Sequence, residues 1–111
     1  MKVEKSSNIN INPVEMEGAK DVGIRWLISK EDGAENFAMR MFELEPGGHT
    51  PLHTHPQEHE VFVLEGQGTL VFEGQEHPFG AEYAIFVPPN EEHQFKNTGN
   101  SLLRMLCIIP T

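Results

Sequence analysis

The sequence predicts an all-β protein, a sandwich or closed barrel, and three observations carry that expectation. Short apolar runs rich in Val, Ile and Phe recur along the chain, Gly, Pro and Asn separate them at close intervals, and no stretch keeps a helical period. A length of 111 residues predicts one domain. A chain of this size buries roughly two thirds of the surface its unfolded form exposes. Its core is therefore thin, and a metal ion or a second subunit is an expected source of added stability.

In chain order, residues 1–20 are polar and carry Pro13 and Gly18, which reads as an N-terminal arm or an exchanged strand. The barrel domain is expected over 21–111. Its strands are expected at 22–29 (VGIRWLIS), 36–44 (NFAMRMFEL), 61–66 (VFVLEG), 69–74 (TLVFEG), 83–88 (YAIFVP), 93–97 (HQFKN) and 102–110 (LLRMLCIIP). The separators have turn chemistry: Glu31-Asp32-Gly33, Pro46-Gly47-Gly48, Gly66-Gln67-Gly68, Gly74-Gln75, Pro88-Pro89-Asn90 and Thr98-Gly99-Asn100.

Charge and cysteine content narrow the function classes. Acidic residues number 17 against 8 basic, a net charge of −9, and no basic run is present to meet a phosphate backbone or an anionic membrane. No nucleic-acid or membrane partner is expected. Cys107 is the only cysteine, so an intramolecular disulfide and a four-thiolate zinc site are both excluded. The N-terminal stretch is charged where a signal peptide needs an apolar run, which predicts a cytoplasmic location.

The chemistry concentrates in GGHTPLHTHPQEHE, residues 47–60, which holds four of the six histidines. A purification tag would be terminal and uniform; this stretch is internal and broken by Pro51 and Pro56. His55 and His59 have the i, i+4 spacing of a zinc-protease helix, but Pro56 disfavours a helix there. In an extended chain His53 and His55 point to one face. The turn at Pro56-Gln57-Glu58 re-enters a strand at His59, and Pro88-Pro89-Asn90 sets up another strand that opens at His93. A barrel can fold these four imidazoles over one ion. Such donors suit Zn, Fe, Ni, Co and Cu, with Mn at lower affinity.

These residues resemble the two sequence motifs of the cupin superfamily. The first, G-x5-H-x-H-x3-E-x6-G, is matched by Gly47, His53, His55, position 59 and Gly66, with His59 in place of the glutamate. The second, G-x5-P-x-G-x2-H-x3-N, is matched by Pro88, Asn90, His93 and Asn97; Asn90 replaces its inner glycine and Glu82 its leading one. The resemblance covers residues from about 36 to 109. It implies a double-stranded β-helix, the jelly-roll barrel of cupins, with one divalent metal inside, and most resembles the small single-domain cupins with four His ligands. Four neutral donors leave the charge of the ion uncompensated, which favours a small anionic ligand. Glu60 would replace His59 only if the strand slipped by one residue, which would turn over every side chain in it.

Plainer readings apply elsewhere. His49 and His77 are expected to be solvated loop residues, and Arg40 to be surface-exposed or ion-paired, with recognition of a ligand carboxylate as the alternative. Met39, Met41, Phe95, Met105 and Cys107 read as core or pocket lining, Trp26 as a packing anchor, and Glu58, Glu60, Glu91 and Glu92 as an acidic rim, one of which could hold an imidazole N–H. Two function classes follow. One is a metalloenzyme acting on a carboxylate or 2-oxo acid, since oxygenases, decarboxylases, isomerases and lyases occur among the proteins the chain resembles. The other is a non-catalytic binding or sensing module. A homodimer is expected in either case.

Overall fold

The computed structural model describes all residues, 1–111, and its strands are β1 (Asn12–Pro13), β2 (Lys20–Ile28), β3 (Phe37–His49), β4 (His59–Glu65), β5 (Gln67–Phe72), β6 (Gln75–Gly80), β7 (Ala84–Val87), β8 (His93–Lys96) and β9 (Leu103–Pro110). Short 3-10 turns at Ser6–Asn8 and Lys30–Asp32 are the only helical pieces. No helix is long and apolar enough to cross a membrane.

Strand β3 organises the barrel because it belongs to both of its walls. Its first part pairs antiparallel with β2 on one side and β9 on the other, and β9 continues to β4 and β7. Past Pro46-Gly47 the strand turns the corner, and His49 pairs with Lys96 of β8, which leads on to β5 and β6. The resulting order is β6-β5-β8-β3-β9-β4-β7, a sheet curled into the predicted jelly-roll barrel. Gly48 is required at that corner, since a Cβ there would sit 2.8 Å from the Asp21 carbonyl oxygen and 2.9 Å from those of Glu45 and Lys20.

Period-two alternation sorts the side chains. Along β4, His59, Val61 and Val63 are buried while Glu60, Phe62 and Leu64 are exposed. Leu103, Met105 and Cys107 of β9, Phe95 of β8, Leu44 of β3 and Val87 of β7 join Val61 and Val63 in one apolar core. Buried Asn97 bridges the two walls: its amide donates to the carbonyls of Leu44 and Ser101, each at 2.8 Å, and its oxygen accepts from Gly99 N–H at 3.0 Å.

Two elements differ from the sequence expectation. Strand β6 lies where the sequence predicts only a turn, because its side chains are exposed from Gln75 to Pro78 and show no alternation. It is an edge strand, where Pro78 costs no ladder hydrogen bond. The hairpin before it turns at Glu73 and Gly74, with φ of 52° and 72°. The second difference is in the arm, where Asn12 and Pro13 pair with Ile24 and Gly23 of the same chain. Arg25 holds the arm further by donating from Nη1 to the Ile9 carbonyl while its Nε donates to Glu43 at 2.8 Å.

Candidate metal centre

The four predicted histidines converge inside the barrel. His53 and His55 come from the loop before β4, with His53 bridging His93 by paired backbone hydrogen bonds of 3.2 and 3.1 Å. His59 opens β4 and His93 opens β8, both facing inward. Ring centroids are 5.1 Å apart for His53–His55, 5.2 Å for His53–His93, 4.9 Å for His55–His93, 4.3 Å for His55–His59 and 5.3 Å for His59–His93. The donor atoms of His53, His55 and His93 lie within 4.8 Å of one another, a spacing that fits a shared ion. His59 stands beside this group of three.

Hydrogen bonds fix the tautomers of the rings. His55 Nδ1 lies 2.8 Å from the Gln57 carbonyl oxygen and His93 Nδ1 lies 2.8 Å from that of Glu91. A carbonyl only accepts, so both Nδ1 atoms carry the proton and both Nε2 lone pairs are free. His55 Nε2 is buried and has no partner. His59 Nδ1 is 3.4 Å from the sulfur of Cys107. The ring-holding groups are thus two main-chain carbonyls and a thiol, not the carboxylates of the acidic rim. Glu60 is exposed on the outer face.

Three of the four rings resist protonation. Burial, followed by the charges of Arg40 and the neighbouring histidines, lowers the His59 pKa to about 3. Burial is also the largest cause of the lowered values of His53 and His55, with His93 next in each case. Neutral imidazoles with free lone pairs, one of them buried and unpartnered, are the donor set a divalent transition metal takes.

His49 and His77 are apart from this cluster. His49 Nδ1 lies 3.3 Å from the Thr50 carbonyl, and His77 is exposed on β6 beside Phe72.

The histidines form one end of a cavity of about 390 Å³ whose walls include Ile24, Trp26, Phe42 and Met105. Phe95 and Cys107 also line it, as the sequence implied, whereas Val14 and Met16 bring the arm into its wall. That contribution had no signal in the sequence, since both residues lie in a polar stretch without strand period. Arg40 departs from expectation: it is buried, lines the cavity and has no ion-pair partner.

This barrel, with its inward histidines on β4, β8 and the loop between β3 and β4, is matched over residues 40–109 by the family model described as a cupin domain. The chain belongs to the cupin superfamily. Among solved structures this cupin is similar to the polyketide cyclase RemF from Streptomyces resistomycificus, with 38% identity and a TM-score of 0.94 over 99% of this chain and 79% of that one. It is also similar to a predicted oxalate decarboxylase from Thermotoga maritima, with 30% identity and a TM-score of 0.88 over 98% of both chains. Auxin-binding protein 1 of Arabidopsis thaliana is 42% identical over 73 residues, 58% of this chain and 37% of that protein. The chain spans half or less of the length of the curated relatives it matches.

Proposed function

We propose that this cupin holds one divalent transition-metal ion through His53, His55, His59 and His93 and is an enzyme acting on a small organic anion, a carboxylate or 2-oxo acid, bound in the cavity beside the ion. The observation that carries this reading is the buried, unpartnered His55 Nε2 within a cluster of neutral imidazoles. A metal there supplies Lewis-acid polarisation of a ligand oxygen. The protein's part is to hold the imidazoles of His53, His55 and His59 neutral, to keep Nδ1–H of His55 and His93 on backbone carbonyls, and to exclude water with the apolar cavity wall. Two similar proteins, a polyketide cyclase and a predicted oxalate decarboxylase, carry enzyme names.

A second reading has its own support. No Asp or Glu lines the cavity, so no carboxylate stands ready as a general base. That fits a binding module, as does the similarity to a protein named for binding auxin.

The test is elemental analysis of the purified protein, then titration of metal-replete and chelator-treated protein with small carboxylates and 2-oxo acids while following turnover. Metal-dependent turnover supports the enzyme. Metal-dependent binding without turnover supports the module, and a wild-type protein that binds no metal ends the enzyme reading and removes the metal from the module.

A further inference from the structure

Arg40 lies in the first half of β3, where Ala38, Arg40, Phe42 and Leu44 alternate towards the barrel interior. Its residue exposure is 9%, so it is nine-tenths buried. Its polar contact is a hydrogen bond from Nη2 to Cys107 Sγ at 3.1 Å, while its Nε is buried with no partner. The guanidinium centre lies 4.9 Å from the Phe42 ring and 5.6 Å from the Trp26 ring. Among the chain's other cations, Lys2, Arg25 and Arg104 pair with carboxylates.

A guanidinium keeps its charge throughout the folding range, and burying it against a thiol and two rings leaves much of its desolvation cost uncompensated. The aromatic faces offset a part of that cost. The missing group is an anion, and the space for it is present: Arg40 shares its cavity with the four histidines. That cavity has no acidic residue in its lining, in a chain that carries 17.

We infer that Arg40 is the specificity-determining residue of this cavity, completed by a carboxylate oxygen of the ligand, whose apolar, ring-bearing body fills the space beside Ile24, Trp26, Phe42 and Met16. This rests on the reading of the cavity as the ligand site, and it narrows the ligand class. A cavity of about 390 Å³ with mostly apolar walls is in the size range of ring-bearing ligands and far exceeds what oxalate fills. The Nε–H and Nη–H groups form the planar fork that meets a carboxylate.

The test uses phenylpyruvate as the probe, with phenylacetone as its neutral analogue, in calorimetric titrations of wild type, Arg40→Met, Arg40→Lys and His53→Ala, with metal content and melting temperature measured for each. Arg40→Met is expected to keep wild-type metal content, to melt higher than wild type without ligand, and to bind phenylpyruvate at least tenfold more weakly with phenylacetone unaffected. Arg40→Lys recovers part of the binding, and wild type binds oxalate at least tenfold more weakly than phenylpyruvate. A merely structural Arg40 would give the opposite sign: Arg40→Met would melt lower, or fail to fold, and either result overturns the inference. Unchanged phenylpyruvate affinity in Arg40→Met overturns it too, and failure of metal-replete wild type to bind phenylpyruvate overturns the ligand class. Arg40-dependent binding that survives in His53→Ala and in metal-free wild type would sustain the role of Arg40 while removing the metal reading.

Discussion

The rings of His55 and His59 are stacked, with centroids 4.3 Å apart and planes 20° from parallel. Neutral imidazoles tolerate that contact, whereas two imidazolium ions so placed in a buried site repel each other strongly. The stack is therefore a device that keeps lone pairs available, and it makes the folded state sensitive to acid.

Stability of the chelator-treated protein is expected to fall as pH drops below 6.5. Unfolded histidines take up protons near that pH, while burial and Arg40 hold folded His59 down to about 3. Between these values the unfolded chain binds more protons, so stability is full above the window and is lost progressively through it. Bound metal is expected to dissociate below about pH 6 for the same reason, because ligation competes with protonation. Thermal melts and elemental analysis across pH 4–8 check both, and a flat profile for the metal-free protein counts against this account.

Metal content is expected to depend on His53, His55, His59 and His93 and to be indifferent to His49, His77 and Glu60. Ala replacement of one of the four should weaken metal affinity at least tenfold, a loss on the scale of removing even a supporting partner. His49→Ala and His77→Ala remove side chains away from the cluster, and Glu60→Ala removes one that faces outward. Full occupancy in His59→Ala would show that the set of ligands is smaller than four.

The barrel was legible in the sequence because its inner strands alternate: Leu103-Met105-Cys107 and Val61-Val63 announce which face is buried. Strand β6 was not, since an edge strand with exposed Gln75, Glu76 and His77 need satisfy no core. The histidines were legible from their spacing and from their resemblance to a known pattern. The burial of Arg40 is not legible, because a lone Arg between apolar neighbours looks alike in sequence whether it faces solvent or a cavity. The hold of Cys107 on His59 depends on a contact 48 residues away in sequence, and the arm's contribution through Val14 and Met16 on a segment with no period.

Glu82 is expected to be a strained position that glycine would relieve. Its φ of 70° is left-handed, at the place where the cupin pattern has glycine, and its side chain is exposed. A non-glycine residue there costs ~1 kcal/mol or more, partly offset by the ordering cost of glycine. Glu82→Gly should therefore equal or exceed wild type in stability by up to about 1 kcal/mol, while Glu82→Val should fall at least as far below it. Urea unfolding of the three proteins checks the order Gly, Glu, Val.

The outer face of β4 and β7 is expected to be a homodimer interface. Phe62, Leu64 and Phe86 are exposed there at 42%, 39% and 59%, with Tyr83 exposed at 55% in the turn that enters β7, a concentration of large apolar side chains unusual on a monomer. Light scattering should give a dimer at micromolar concentration, and Phe86→Glu should shift it to a monomer that still folds and retains metal. A monomeric wild type would remove this expectation.

Arg25→Ala is expected to release the N-terminal arm and, through it, to loosen the cavity. The Arg25 side chain clasps the middle of the arm to the barrel: Nη1 donates to the Ile9 carbonyl, and Nε donates to Glu43 at 2.8 Å, while Lys2 ties the start of the arm to the Leu27 carbonyl at 2.7 Å and to Asp32 at 3.1 Å. Charge-assisted bonds of this half-buried kind contribute about 1.5–3 kcal/mol each at most. Glu43 keeps a second cation after the change, since Arg104 lies 3.8 Å away, so the barrel should survive and the loss should fall on the arm. Once residues 6–11 loosen, the surface contacts of Lys2 and the two-residue pairing at Asn12-Pro13 are too weak to hold the arm. Val14 and Met16 then withdraw from the cavity wall. Limited proteolysis should cut Arg25→Ala within residues 1–18 under conditions that spare wild type, and a fluorescent apolar dye should bind the variant more strongly. Metal content should be unchanged, because the histidines hang on β4, β8 and the loop bridged to β8, while the strand of the arm pairs with β2. Equal protease resistance in the two proteins would mean that the arm is held by something other than Arg25.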